Sequence, residues 1–199
     1  DTLYFGGNYI RSFAQADTHD FYGKADLLGA YSSTKLARTL PEMQASGTAH
    51  TLAYNAAVHV GMNYYLPQQS VLSPEIGLGV MGGRTGAFDV DGSQAQSLEE
   101  RFDATHVNIG YGDISLKWHQ NWEPVLGTSL IKTLMAGGVR YNFNHSMDVG
   151  ANIAGIWGSD SVDLPRTYQY FNTSLILEFN KNTSITFGYV GVYDSTGHS

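Results

Sequence analysis

From Leu52 to Tyr64 the even positions read Leu, Tyr, Ala, Val, Val, Met and Tyr, and the odd positions between them read Ala, Asn, Ala, His, Gly and Asn. Successive side chains of an extended chain point to opposite faces. One face here is therefore apolar with Tyr54 and Tyr64 toward its ends, and the other is small and polar. Strands of soluble proteins usually run about five or six residues. A strand tilted across a hydrocarbon layer of ~30 Å needs about nine to eleven, apolar toward lipid and polar toward a lumen, with aromatic rings at the interfaces. This segment has that length and that two-sidedness.

The pattern repeats along the chain. Leu72, Ile76, Leu78 and Val80 oppose Ser73, Glu75, Gly77 and Gly79. Thr133, Met135, Gly137, Val139, Tyr141 and Phe143 alternate with Leu134, Ala136, Gly138, Arg140 and Asn142. Met147, Val149, Ala151, Ile153, Gly155 and Trp157 follow, then Phe171, Thr173, Leu175, Leu177 and Phe179, then Ile185, Phe187, Tyr189, Gly191 and Tyr193. One such strand is a weak signal, and several in succession are a strong one. No apolar run reaches the ~18 residues of a membrane helix, so a closed barrel is the one spanning structure left open.

Composition agrees. Charged residues make up only 15%, aromatics 13%, and glycine occurs 23 times. A soluble domain so poor in charge needs a rich aliphatic core, whereas a barrel fills its lumen with uncharged polar groups. The net charge of −7 and the lack of a Lys/Arg cluster exclude a nucleic-acid-binding surface. Cysteine is absent, which removes disulfide frameworks and thiolate metal sites.

The expected fold is all-β: one domain over 1–199, an antiparallel transmembrane up-and-down barrel. About ten strands are expected, at 3–13, 21–32, 50–65, 70–83, 103–111, 113–122, 130–143, 146–158, 167–179 and 183–194. The turns at 67–69, 144–146 and 180–182 are tight, whereas 33–49, 86–104 and 159–166 are long and polar. Short turns face the periplasm in such barrels and long loops face outward. That orientation is self-consistent if 103–122 holds two strands bent near Gly110–Gly112. By the same parity the last strand runs upward, and one further downward strand is expected.

Several motifs have two readings. Gly77-Leu78-Gly79-Val80-Met81-Gly82 spells G-x-G-x-x-G, but no helix pattern or acidic partner follows, so strand glycines are the better reading. Asp89-Val90-Asp91-Gly92 lacks calcium-loop spacing and reads as a loop tip, although with Glu99, Glu100 and Asp103 it offers loose cation-binding carboxylates. His145-Ser146, and His119 near Asp113, can be imagined in a hydrolase, but adjacency in sequence is not geometry. No cofactor and no helix-borne zinc site is expected, because no His-x-x-x-His pair occurs. Asn172-Thr173-Ser174 matches a glycosylation sequon but falls inside a strand.

Phase singles out Lys24, Asp26, His59, Glu75, Lys117, Arg140 and Glu178, all on the polar face. A charge facing lipid at mid-membrane costs roughly 2–4 kcal/mol, so these seven are assigned to the lumen, with Glu75 or Glu178 as partner for Arg140. They either line a pore and grip a threaded peptide or fill a narrow barrel with salt bridges.

Three runs carry a family resemblance. Phe21 to Ser32 is similar to the segment of autotransporter β-domains where an aromatic-rich strand is followed by an alternating one ending in Tyr-Ser. Asn55 to Leu66, with Gly61-Met62-Asn63-Tyr64, resembles their alternating strand, and Val71 to Val80 resembles their strand with proline near its start. Gly138 to Phe143 and Gly188-Tyr189 fit the same family. The resemblance spans most of the chain and implies a twelve-stranded outer-membrane barrel. It also implies a protein that anchors and helps export a passenger segment through its lumen and is not an enzyme. Implied partners are outer-membrane lipid or lipopolysaccharide, the barrel-assembly machinery and a passenger in the lumen. Two alternatives remain: a small opacity-type or OmpA-like barrel whose loops mediate adhesion, and an outer-membrane enzyme acting on lipid.

Overall fold

Alternation over long stretches produces long strands. The computed structural model describes residues 1–40, 43–92, 100–125, 127–153, 156–180 and 182–194. Eight long strands form one antiparallel meander: β1 (Thr2–Gln15), β2 (His19–Leu40), β3 (Met43–Leu66), β4 (Ser70–Thr85), β7 (Thr105–Trp122), β8 (Leu130–Asn142), β11 (Thr167–Asn180) and β12 (Thr183–Asp194). Four short strands lie at one end: β5 (Phe88–Gly92), β6 (Glu100–Phe102), β9 (Ser146–Ile153) and β10 (Ile156–Asp163). The expected fold class, an all-β antiparallel up-and-down sheet, holds.

The long sheet curls. Ile10 and Ser12 of β1 line the same cavity, of about 760 Å³, as Gly188 and Val190 of β12. Among the described residues β1 pairs with β2 alone and β12 with β11 alone.

The short connections share one end of the sheet, where the Tyr65 amide donates to the Thr18 carbonyl, Asn121 to Gln69, and Ser129 to Glu178. At the other end β2 and β3 run on as a paired hairpin to Leu40 and Met43. The loops after β4 and β8 pair with each other and with that hairpin, in the order β3, β5, β6, β9, β10. Stacked Phe88 and Phe102 rings, with centroids 4.8 Å apart, hold β5 against β6.

Three expectations are corrected. Residues 103–122 hold no bend at Gly110–Gly112: β7 pairs with β4 without a register shift from Thr105 to Gln120. The stretch 146–158 is not a barrel strand but most of the β9–β10 hairpin, in which Ser146 faces Asp163 and Ile153 faces Ile156. The turn 144–146 therefore lies at the loop end, where the Leu164 amide bonds to the His145 carbonyl, and not beside 67–69. The long connection 33–49 is mostly extended hairpin, 86–104 carries β5 and β6, and part of 159–166 belongs to β10.

Register places outer-face residues in rows. Tyr31, Leu52, Arg84 and His106 are successive partners across four strands. Twelve residues further along each strand, Tyr64, Leu72 and Trp118 form a second row. At roughly 3.3 Å per residue and a tilt of about 40°, these rows stand about 30 Å apart along the normal, the thickness of a hydrocarbon core. Between them Val58, Val60, Ile76, Leu78, Ile114, Leu116 and Val139 point outward, and each is about half exposed or more. Polar neighbours in the opposite phase, Glu75, Asp113 and Ser115, are buried. The chemistry is inverted relative to a soluble protein.

Candidate functional site

The inner face is organised in rows perpendicular to the strands. Lys24, His59, Gly77, Asp113 and Arg140 are register partners in turn on β2, β3, β4, β7 and β8. Gly77 leaves the middle position open, so His59 and Asp113 meet across it: His59 Nε2 lies 3.4 Å from Asp113 Oδ1. A side chain at position 77 would collide with both. Asp26 Oδ2 stands 3.3 Å from His59 Nδ1 and 2.7 Å from Lys24 Nζ. Arg140 reaches Asp113 at 3.7 Å and lies 3.9 Å above the centre of the Tyr111 ring, a cation–π contact.

Two cations and two carboxylates balance when the imidazole is neutral. A neutral imidazole has one N–H and serves one of its two carboxylate neighbours; the protonated ring serves both. His59 Nδ1, Asp113 Oδ1 and Arg140 Nε are buried without an aligned hydrogen bond, so charge holds this group together more than hydrogen-bond geometry does.

Two residues toward the turn end runs a second row: Tyr22, Gly61, Glu75, Ser115, Gly138 and Tyr170. Tyr22 lies across Gly61 and donates to Glu75 Oε2 at 2.9 Å. From the other side Tyr170 lies across Gly138 and bonds to Ser115. Lys117 closes on both Glu75 oxygens at 2.7 and 2.8 Å. In the row toward the loop end, Tyr111 crosses Gly79, and its hydroxyl donates to Asn55 at 2.8 Å. Large aromatic rings lie flat on the wall here because glycine leaves them room.

Six of the seven residues assigned to the polar face, Lys24, Asp26, His59, Glu75, Lys117 and Arg140, line one cavity of about 450 Å³. Glu178 stands apart near the turn end, paired with Lys132 at 2.6 Å. The expected partner of Arg140 is corrected: Glu75 takes Lys117, Glu178 takes Lys132, and Arg140 faces Asp113. Asp113, Tyr22, Tyr111, Tyr170 and Lys132 are members that sequence reasoning missed. Asp113 carries the same alternation signal as Lys117 once β7 is read as a single strand.

The other motifs resolve simply. Gly77 to Gly82 lies inside β4, and Asn172 to Ser174 inside β11. His119 bonds to Asn121 at 3.0 Å. Asp89 stands 4.0 Å from Arg101, and Asp103 accepts from Trp157 at 3.2 Å. Glu99 lies outside the described residues, and among those described no three His, Asp or Glu side chains are placed to hold a metal ion.

Comparison with known protein families gives a match. The family model Autotransporter beta-domain covers residues 3–190, nearly the whole chain. Neither a search of curated proteins nor one of solved structures returns a match. Long alternating strands, an apolar belt of membrane thickness and a polar inner face are what a translocator barrel requires, and on that model match the chain belongs to the autotransporter β-domain family.

Proposed function

We propose that this protein sits in the bacterial outer membrane, its outer face against lipid, and anchors and helps translocate a passenger segment that passes along its inner face. The family supplies the coarse reading, an outer-membrane translocator barrel. The observation that carries the finer one is the charge row on β2, β3, β4, β7 and β8, which opens on the 450 Å³ cavity rather than on lipid. Fixed ionic and hydroxyl groups around a cavity offer donors and acceptors to a peptide backbone that must shed water on entering. The long-loop end then faces outward, and the barrel-assembly machinery is the inserting partner. An adhesive or lipid-modifying role has no comparable support.

The test is surface display. A chain carrying an unstructured, epitope-tagged segment fused ahead of Asp1 is expected to expose the epitope on intact cells. Correct insertion of the β-domain with the epitope retained in the periplasm would overturn the translocator reading.

A further inference from the structure

We propose that the outer face carries a seat for one phosphorylated, acylated lipid, with Arg84 and His106 as the headgroup contacts and an apolar dent below them for a tail. The inference rests on the reading that this face meets the membrane. Arg84 and His106 are register partners on β4 and β7, both exposed. Partners in adjacent antiparallel strands stand about 5 Å apart, so both side chains are within reach of one anion. They share a row with Tyr31, the ring type that settles at the headgroup level. Among the described residues neither makes an ion pair.

Below them the β7 outer face loses its side chains at Gly110 and Gly112. The Phe143 ring lies beside these glycines, 3.3 Å from where a Cβ would stand on each. Beyond it the surface dips into a cavity of about 550 Å³ walled by Val58, Ile76, Leu78, Ile114, Val139 and Tyr141. The near edge of the dent is the Leu78–Gly112 pair, six residues from the Arg84–His106 pair. At roughly 3.3 Å per residue and a tilt of about 40° that is about 15 Å of depth, half the hydrocarbon core and within reach of a tail whose headgroup is held at the interface. An apolar hollow with a basic rim one leaflet away fits an anionic lipid in the leaflet at the loop end. It fits neither a free anion nor a neutral lipid.

The experiment uses folded protein in mild maltoside micelles with hexa-acylated, bisphosphorylated lipid A, and native mass spectrometry reads retention. One lipid per chain is expected. Arg84→Ala with His106→Ala is expected to cut retention about tenfold, and Val58→Trp, which fills the dent from an exposed wall, several-fold. Dephosphorylated lipid A should bind weakly, and inorganic phosphate at equal concentration should not compete. Heat-modifiable migration confirms that each variant is folded. Equal retention by the double variant, equal binding of dephosphorylated lipid, or full displacement by inorganic phosphate would each overturn the seat. Epitope display by the double variant is expected to be unchanged, so loss of lipid and loss of export are read separately.

Discussion

His59 and Asp113 sit on strands that never pair, yet their side chains come within 3.4 Å because the residue between them is Gly77. Arg140 then caps Asp113 from β8 at 3.7 Å. Asp113 is only 7% exposed and Arg140 29%, so this contact is partly desolvated. Breaking a fully buried pair costs about 3–5 kcal/mol and an exposed one under about 1. Arg140→Ala is expected to cost about 1–3 kcal/mol, read as a lowered urea midpoint for unfolding from micelles. An unchanged midpoint would show that the row is fully hydrated.

The glycine sockets give a sharper contrast. A Cβ on Gly138 would stand 2.6 Å from the Tyr170 ring and from the Ile114 carbonyl, whereas one on Gly137 meets nothing nearer than 3.7 Å. Gly138→Val is expected to destabilise by at least about 1–3 kcal/mol, the usual cost of overpacking, and Gly137→Val to be nearly neutral. Equal thermal shifts for the two would refute the inner and outer assignment of β8.

Val139 lies in the middle of the outer belt, in one row with Ile76 and Ile114. Val139→Arg should lose roughly 2–4 kcal/mol on insertion, seen as a smaller heat-modifiable fraction in vesicles. Normal folding of that variant would place β8 in the opposite phase.

Because the chain has no cysteine, single cysteines report sidedness directly. Ser159→Cys and His145→Cys, both at the loop end, are expected to react with an impermeant maleimide on intact cells, and Asp17→Cys only after lysis. Labelling of Asp17→Cys alone on intact cells would invert the orientation.

Alternation made the inner and outer phase of the central strands legible, because burial along the middle of β4 and β7 follows that phase. It did not distinguish a membrane strand from a loop strand. Met147 to Trp157 alternates as well as β8 does, but alternation says only that a segment is extended, not what it pairs with. Counting it as a barrel strand reversed the parity, and splitting β7 at Gly110–Gly112 restored it. The two errors cancelled. The split also placed Asp113 at a strand end, which hid the central acid of the charge row. Tyr22, Tyr111 and Tyr170 were missed for another reason: aromatic residues in the polar phase look like noise until each is seen lying on a glycine of the next strand.

Those tyrosines bear on how the sheet selects its pairing. A slip of two residues between neighbouring strands keeps every apolar side chain outside, so hydrophobic patterning cannot detect it. Shape can. Moving β2 by two residues against β3 would set the Tyr22 ring on His59 or Asn63 in place of Gly61, and moving β11 against β8 would set Tyr170 on Ala136 or Arg140 in place of Gly138. Each ring fits one hollow: Gly61 and Gly138 share one row across the wall, and Gly79 lies four residues along β4 from that row. The sheet is keyed like a lock, with the teeth on its wet side.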